Sequence, residues 1–160
     1  MTTRTSNATR NGCLSSVGID EQFNLSFLFI YSGTEPATAD EPLDMVAVHT
    51  ELTKVSNNST ATGLTFGTAA LGVLAKTIAE VWSGVVTLDG FDEVTDPATP
   101  TFYRLCAAGD NGRGAANAST GYRIQGSVGG PGSGADLVLG TATLASTDTQ
   151  PIAEFEVRAE

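Results

Sequence analysis

Chemistry in this chain would have to come from a small set of side chains. His49 is the only histidine, and the sulfur groups are limited to Cys13 and Cys106. A nucleophile–base–orienter constellation needs His49, yet no Ser, Cys or Asp stands in a recognisable catalytic motif with it, so the residue reads as structural. The two cysteines fit no zinc spacing and form no CxxC pair. Both are expected as free, partly buried thiols, with a long-range disulfide as the alternative outside a cell, and Cys106 suits a small buried hydrophobe in a strand. Two groups of acids offer oxygen ligands or a paired-carboxylate site. One is Asp89, Asp92, Glu93 and Asp96 in LDGFDEVTDP; the other is Glu35, Asp40 and Glu41 in FIYSGTEPATADEP. The first lacks the alternating ligands and terminal glutamate of an EF-hand loop. The second lacks the cleft of aromatic and polar groups that glycoside hydrolysis requires. Both read as solvated acidic loops. The glycine-rich run Gly129–Gly134 has no Gly-Lys-Ser/Thr, and the chain's lysines, Lys54 and Lys76, are distant in sequence. It therefore reads as a strand connection rather than a phosphate cradle. Trp82, the single tryptophan, reads as a core or interface anchor. No catalytic, cofactor-binding or metal-ligating residue is assigned.

The elements that would position such residues are mainly strands. Leu25, Phe27, Phe29 and Tyr31 alternate with Leu28 and Ile30, the pattern of a central strand buried on both faces. Segments 43–52 and 63–67 read as further strands, and Val81 onward as another. Residues 71–80 stay open between strand and helix, because Leu71, Leu74, Ile78, Val81 and Val85 also form a helical stripe. Tyr103, Leu105 and Ala107 alternate before the turn Gly109-Asp-Asn-Gly112, and 113–120 reads as an exposed loop. In the next strand, Tyr122, Ile124 and Val128 share the core face, with Arg123, Gln125 and Ser127 on a wet one. Segment 136–144 follows. A last strand sets Ala153, Phe155 and Val157 against Glu154, Glu156 and Arg158. Ahead of all this, 8–23 could form one short helix, weakened by Gly12 and Gly18. About seven or eight short strands with Gly/Pro/Ser/Thr loops predict an all-β fold, an antiparallel β-sandwich or jelly roll with a short N-terminal helix or arm. Residues 1–23 would be the arm and 24–160 one β-sandwich domain.

With 160 residues, 41% of them hydrophobic, the chain has material for one core. Its 18 acidic against 8 basic residues give a net charge of −10, which repels phosphate backbones and argues against direct nucleic-acid binding. The densest apolar run, 25–31, is far short of the roughly 20 residues of a spanning helix, so no membrane association is expected. The N-terminal residues do not read as a secretory signal, and synthesis in the cytoplasm is expected.

The order LSFLFIYSGTEPATAD, GLTFGTAALGV, TFYRL, YRIQGSVGGPGSGADLVL and a closing strand resembles a group of small tailed-bacteriophage structural proteins. The resemblance covers most of 8–158 and rests on the Tyr31–Ala37 corner, the aromatic-Arg strand and the Gly-Ser-Val-Gly hairpin. It implies a virion component with no enzymatic residues to carry over. Within that group it implies a decoration or cement protein on the outer capsid, bound to the major capsid protein and to its own copies, with a trimer as the natural arrangement by analogy. A head-to-tail connector, neck or tail-associated protein is the alternative. A carbohydrate-binding or hydrolytic β-sandwich is the reading from another class. The chain departs from the group's pattern at 89–100 and 113–120, which look like longer loops.

Overall fold

The computed structural model describes residues 4–14, 18–58, 62–68, 70–71, 73–91, 95–117 and 121–158. Among them the first elements are β1 (Arg4–Thr5), α1 (Asn7–Leu14), α2 (Ile19–Gln22), β2 (Phe27–Ser32) and β3 (Thr50–Asn57). Then come β4 (Val73–Ala75), β5 (Trp82–Gly90), β6 (Phe102–Cys106), β7 (Arg123–Gly129), β8 (Leu137–Val138), β9 (Thr149–Ile152) and β10 (Glu156–Arg158). The fold is all-β. Among the described residues, an eight-stranded sheet runs β1-β7-β6-β2-β3-β5-β9, with β8 also on β7. All its pairs are antiparallel except β7 with β8. A two-stranded sheet, β4 with β10, makes the second layer of an unequal sandwich.

β2 is central because both its faces are apolar. Leu28 and Ile30 enter the larger core with Leu52, Val55, Trp82, Val86, Tyr103 and Ile124. Phe29 and Tyr31 enter a smaller cluster on the opposite face with Leu43, Phe102 and Cys106. The small sheet closes the larger core through Phe155, whose ring lies 5.5 Å from that of Tyr103 and 6.0 Å from that of Trp82. Phe66 meets Trp82 edge-on at 5.2 Å. Each such side chain contributes about 1.5–3 kcal/mol by leaving water. Tyr103 fits here because its β7 neighbour is Gly126, where a Cβ would come within 2.8 Å of the tyrosine ring.

Several local expectations change. The helix expected over 8–23 is two helices, with Gly18 as the N-cap of α2. Leu25 has a left-handed φ of 59° and is exposed, so the central strand begins at Phe27. In 43–52, the Asp44 carboxylate accepts the Val46 and Ala47 N–H groups and folds 45–48 into a turn. β3 therefore starts only at Thr50. Segment 63–67 makes isolated bridges, Ser26 to Leu64 and Phe66 to Lys76, rather than a strand. In 71–80, Leu71 and Ile78 of the helical stripe are fully exposed, and the regular element is the short strand β4. Segment 136–144 is extended only at β8, with Leu144 bridging Ala98. Of the expected last strand over 153–158, only β10 forms, on the small sheet, while β9, at 149–152 and not expected, stays on the main sheet, the chain crossing between them at 153–155.

Of 1–23, residues 4–14 complete the edge of the main sheet. β1 pairs with Gln125 and Ile124 of β7. The Arg123 N–H lies 3.0 Å from the hydroxyls of both Ser6 and Thr9, and the Ser6 N–H donates back to the Arg123 carbonyl. β1 and β8 thus cover successive stretches of the free edge of β7.

Candidate functional site

The residues singled out in the sequence are dispersed. His49 lies just before β3, buried, with both ring nitrogens occupied. Nδ1 accepts the Asp44 N–H at 3.0 Å, and Nε2 donates to the Thr34 carbonyl at 2.8 Å. It ties the two ends of the 33–44 loop together and leans edge-on against Phe102. Of the first acidic group, Asp92 and Glu93 lie outside the described residues. Asp89 is ion-paired with Arg113, whereas Asp96 accepts the Ser146 N–H and hydroxyl, bonds that hold its carboxyl below the usual range. Gly129–Gly134 connects β7 to β8. Trp82 is a core residue. Cys13 is exposed and Cys106 buried, both as free thiols; burial, with the Asp110 charge, pushes the Cys106 thiol far up. Among the described residues, no three His, Cys, Asp or Glu side chains are grouped as a metal site.

Of the second acidic group, expected to stand in solvent, Glu41 does, whereas Glu35 and Asp40 are half-buried. Glu35 is ion-paired with Arg4 at 2.8 Å, and the Asp40 carboxylate accepts the Asn7 N–H at 3.1 Å. Glu41 accepts from Thr38 at the surface. These contacts belong to a larger arrangement on the β6–β7 face opposite the main core. The wet face expected for β7 is interior: Arg123 is 2% exposed and Gln125 fully buried, alongside fully buried Arg104 of β6. Two loops, 33–44 and 107–117, roof this face. The Arg104 Nε donates to the Gln125 Oε1 at 2.8 Å, and its Nη1 to the Gly112 carbonyl at 2.8 Å. The Gln125 amide donates to the Pro36 carbonyl at 2.8 Å, tying the sheet to the Tyr31–Ala37 corner. Arg123 makes a two-pronged pair with Asp110 at 2.6 and 2.8 Å and also reaches the Gly114 carbonyl.

The electrostatics of this layer follow from burial. Burial pushes the Asp110 carboxyl up, but the bonds from Arg123 and from the Gly112 N–H outweigh it, leaving the group below the usual range. Burial lowers Arg104, and the neighbouring Arg123 charge lowers it further. Among the described residues, no carboxylate is salt-bridged to Arg104. Asp110 is therefore the main counter-charge for two interior guanidiniums.

Beside this layer, the sheet opens into a cleft of about 360 Å³ lined by Phe27, Phe29, Glu51, Lys54, Asp110 and Arg113. The Lys54 ammonium stands 3.8 Å over the Phe27 ring, a cation–π contact. Arg113 binds Glu51 at 3.0 Å and Asp89 beyond it. Burial pushes the Glu51 carboxyl up even though Arg113 opposes it. Two carboxylates displaced in opposite directions in one cleft can divide acid and base roles. Here each is bound by its own arginine, which favours a charged recess with an aromatic floor over a proton-transferring pair.

Arg123 and Gln125 escaped sequence reasoning because polar residues alternating with apolar ones normally mark a solvated face, and Arg113 because it opens a small, polar segment that reads as an exposed loop. The available signal was the length of chain around it. The 33–44 and 107–117 loops carry enough residues, with Asp110 among them, to roof a sheet face. No family model, curated protein or solved structure matches the chain.

Proposed function

We propose that this chain is a structural protein of a bacteriophage virion, a decoration or cement protein that binds the outer surface of the capsid and braces the shell. Its partners would be the major capsid protein and further copies of itself, arranged as a trimer at local three-fold positions. The observation that carries the reading is the work done by the Tyr31–Ala37 corner, the segment on which the family resemblance rests. Its Pro36 carbonyl accepts from Gln125 and from Arg4, and its Glu35 pairs with Arg4. A corner that ties the sheet edge and the N-terminal strand together supports an architectural role for the motif. The surface charge points the same way. The interior cations Arg104 and Arg123 are balanced by buried Glu51 and by Asp110, so the net charge of −10 is carried by the surface. Such a surface suits the outside of a shell, away from packaged DNA.

Counting copies in purified virions by quantitative mass spectrometry tests the reading. On the order of hundreds per particle supports a shell position, and about a dozen moves the protein to the neck or tail. A partner that binds only the assembled shell stabilises it, so particles lacking the protein should release DNA at a lower temperature. An unchanged release temperature counts against bracing. Glycan turnover or specific glycan binding by the isolated chain would assign it to the other class.

A further inference from the structure

The two ends of the main sheet approach each other without pairing. β8 lies on β7 at one end and β9 on β5 at the other, and both line a single groove of about 570 Å³. Its floor is a window onto the main core, made by Val86, Leu139, Leu144 and Ile152. Val138, 51% exposed, stands at the rim.

The edges differ in what they offer. The Leu139 N–H donates to the Gly129 carbonyl, so Leu139 faces β7, and by strand alternation the N–H and C=O of Val138 point away from β7. β9 carries Pro151, which has no N–H to give and so interrupts any ladder on that side. β8 is therefore the edge open to pairing. The charged residues lining the groove are Asp148 and Glu154, both exposed, and no Lys or Arg is among its described lining residues.

We propose that this groove takes an extended segment of a partner protein in which apolar side chains alternate with Lys or Arg. The segment adds to β8 through the Val138 backbone, sets its apolar side chains on the floor, and presents its cations to Asp148 and Glu154. Strand addition of this kind draws affinity from main-chain hydrogen bonds and specificity from alternate side chains. The inference goes beyond the capsid reading and does not depend on it, since any partner with such a segment would serve.

The test is an NMR titration of the isotopically labelled full chain with a short acetylated peptide of alternating valine and lysine, beside a counterpart with glutamate for lysine. The lysine peptide should shift the Val138 amide and the methyl groups of Leu139, Leu144 and Ile152, and slow exchange of the Val138 amide. The glutamate peptide should not. Reversing the exposed carboxylates with Asp148→Lys and Glu154→Lys should weaken the lysine peptide by about tenfold or more while leaving the fold's spectrum intact. The proposal is overturned by the absence of groove shifts at saturating peptide, by shifts centred elsewhere, by equal binding of the glutamate peptide, or by an unchanged affinity in the double variant.

Discussion

Asp110→Asn removes the one carboxylate that Arg123 grips and leaves the amide's shape in place. The Asp110 side chain is 16% exposed and that of Arg123 2%, so the guanidinium would stay buried without its counter-charge, beside Arg104. Removing one partner of a buried pair costs about 3–5 kcal/mol. At about 2–4 °C per kcal/mol for a chain of this size, the melting midpoint should fall by roughly 6–20 °C. Urea unfolding followed by the fluorescence of Trp82, the single, buried tryptophan, reads the change directly. The effect also has a pH signature. The folded carboxyl sits below its ordinary value, so its contribution is complete above the unfolded carboxylate range of about 3.9 and is lost as pH falls through the lower folded value. The gap between wild type and variant should therefore be flat near neutrality and close in acid. Asp89→Asn, which touches the exposed Asp89–Arg113 pair, is the control and should cost under about 1 kcal/mol. An Asp110→Asn cost no larger than the control's, or a gap independent of pH down to strong acid, refutes the buried-charge reasoning.

Glu51→Gln should behave in the opposite way. The folded Glu51 carboxyl is raised, so wild-type stability is fully present below the ordinary glutamate range and declines as pH rises through the raised value. The variant should match wild type near pH 3 and equal or exceed it by up to about 1 kcal/mol at pH 7, as urea titrations at the two pH values would register. A thiol-exchange reagent should modify exposed Cys13 quickly and buried Cys106 only at the rate of unfolding, giving one fast and one slow phase. A fast second thiol would contradict the interior position of Cys106. Gly33→Ala forces a side chain onto a residue with φ of 106° and places its Cβ 2.4 Å from the Val48 carbonyl. Backbone strain alone should cost about 1–3 kcal/mol in thermal unfolding, and a neutral outcome would disprove the close approach at this corner.

Much of this protein is written locally. Strict alternation in FLFIYS identifies β2 as central, because a strand with apolar side chains on both faces has to be covered on both. The all-β class, the Trp82 strand, the buried Cys106 and the turn around Asp110 follow from similarly short-range patterns. Boundaries such as Thr50, and the presence of β9 ahead of a last strand that starts only at Glu156, were not legible. They depend on Asp44 capping a turn and on which sheet is near enough to pair.

The largest difference concerns charge. Arg123 and Gln125 alternate with Ile124 just as residues on a solvated face would, and their sequence neighbours carry no mark of burial. Only the folding back of 33–44 and 107–117 supplies Asp110, the Gly112 and Gly114 carbonyls and the Pro36 carbonyl that make interior guanidiniums tenable. The sequence by itself determined which residues could form strands and which side chains had to leave water, since both depend on neighbours one or two positions away. Tertiary structure decided which polar groups are interior and where two sheet edges leave a groove, because those depend on partners 8 to 117 positions distant that meet only when the loops fold back and the sheet closes.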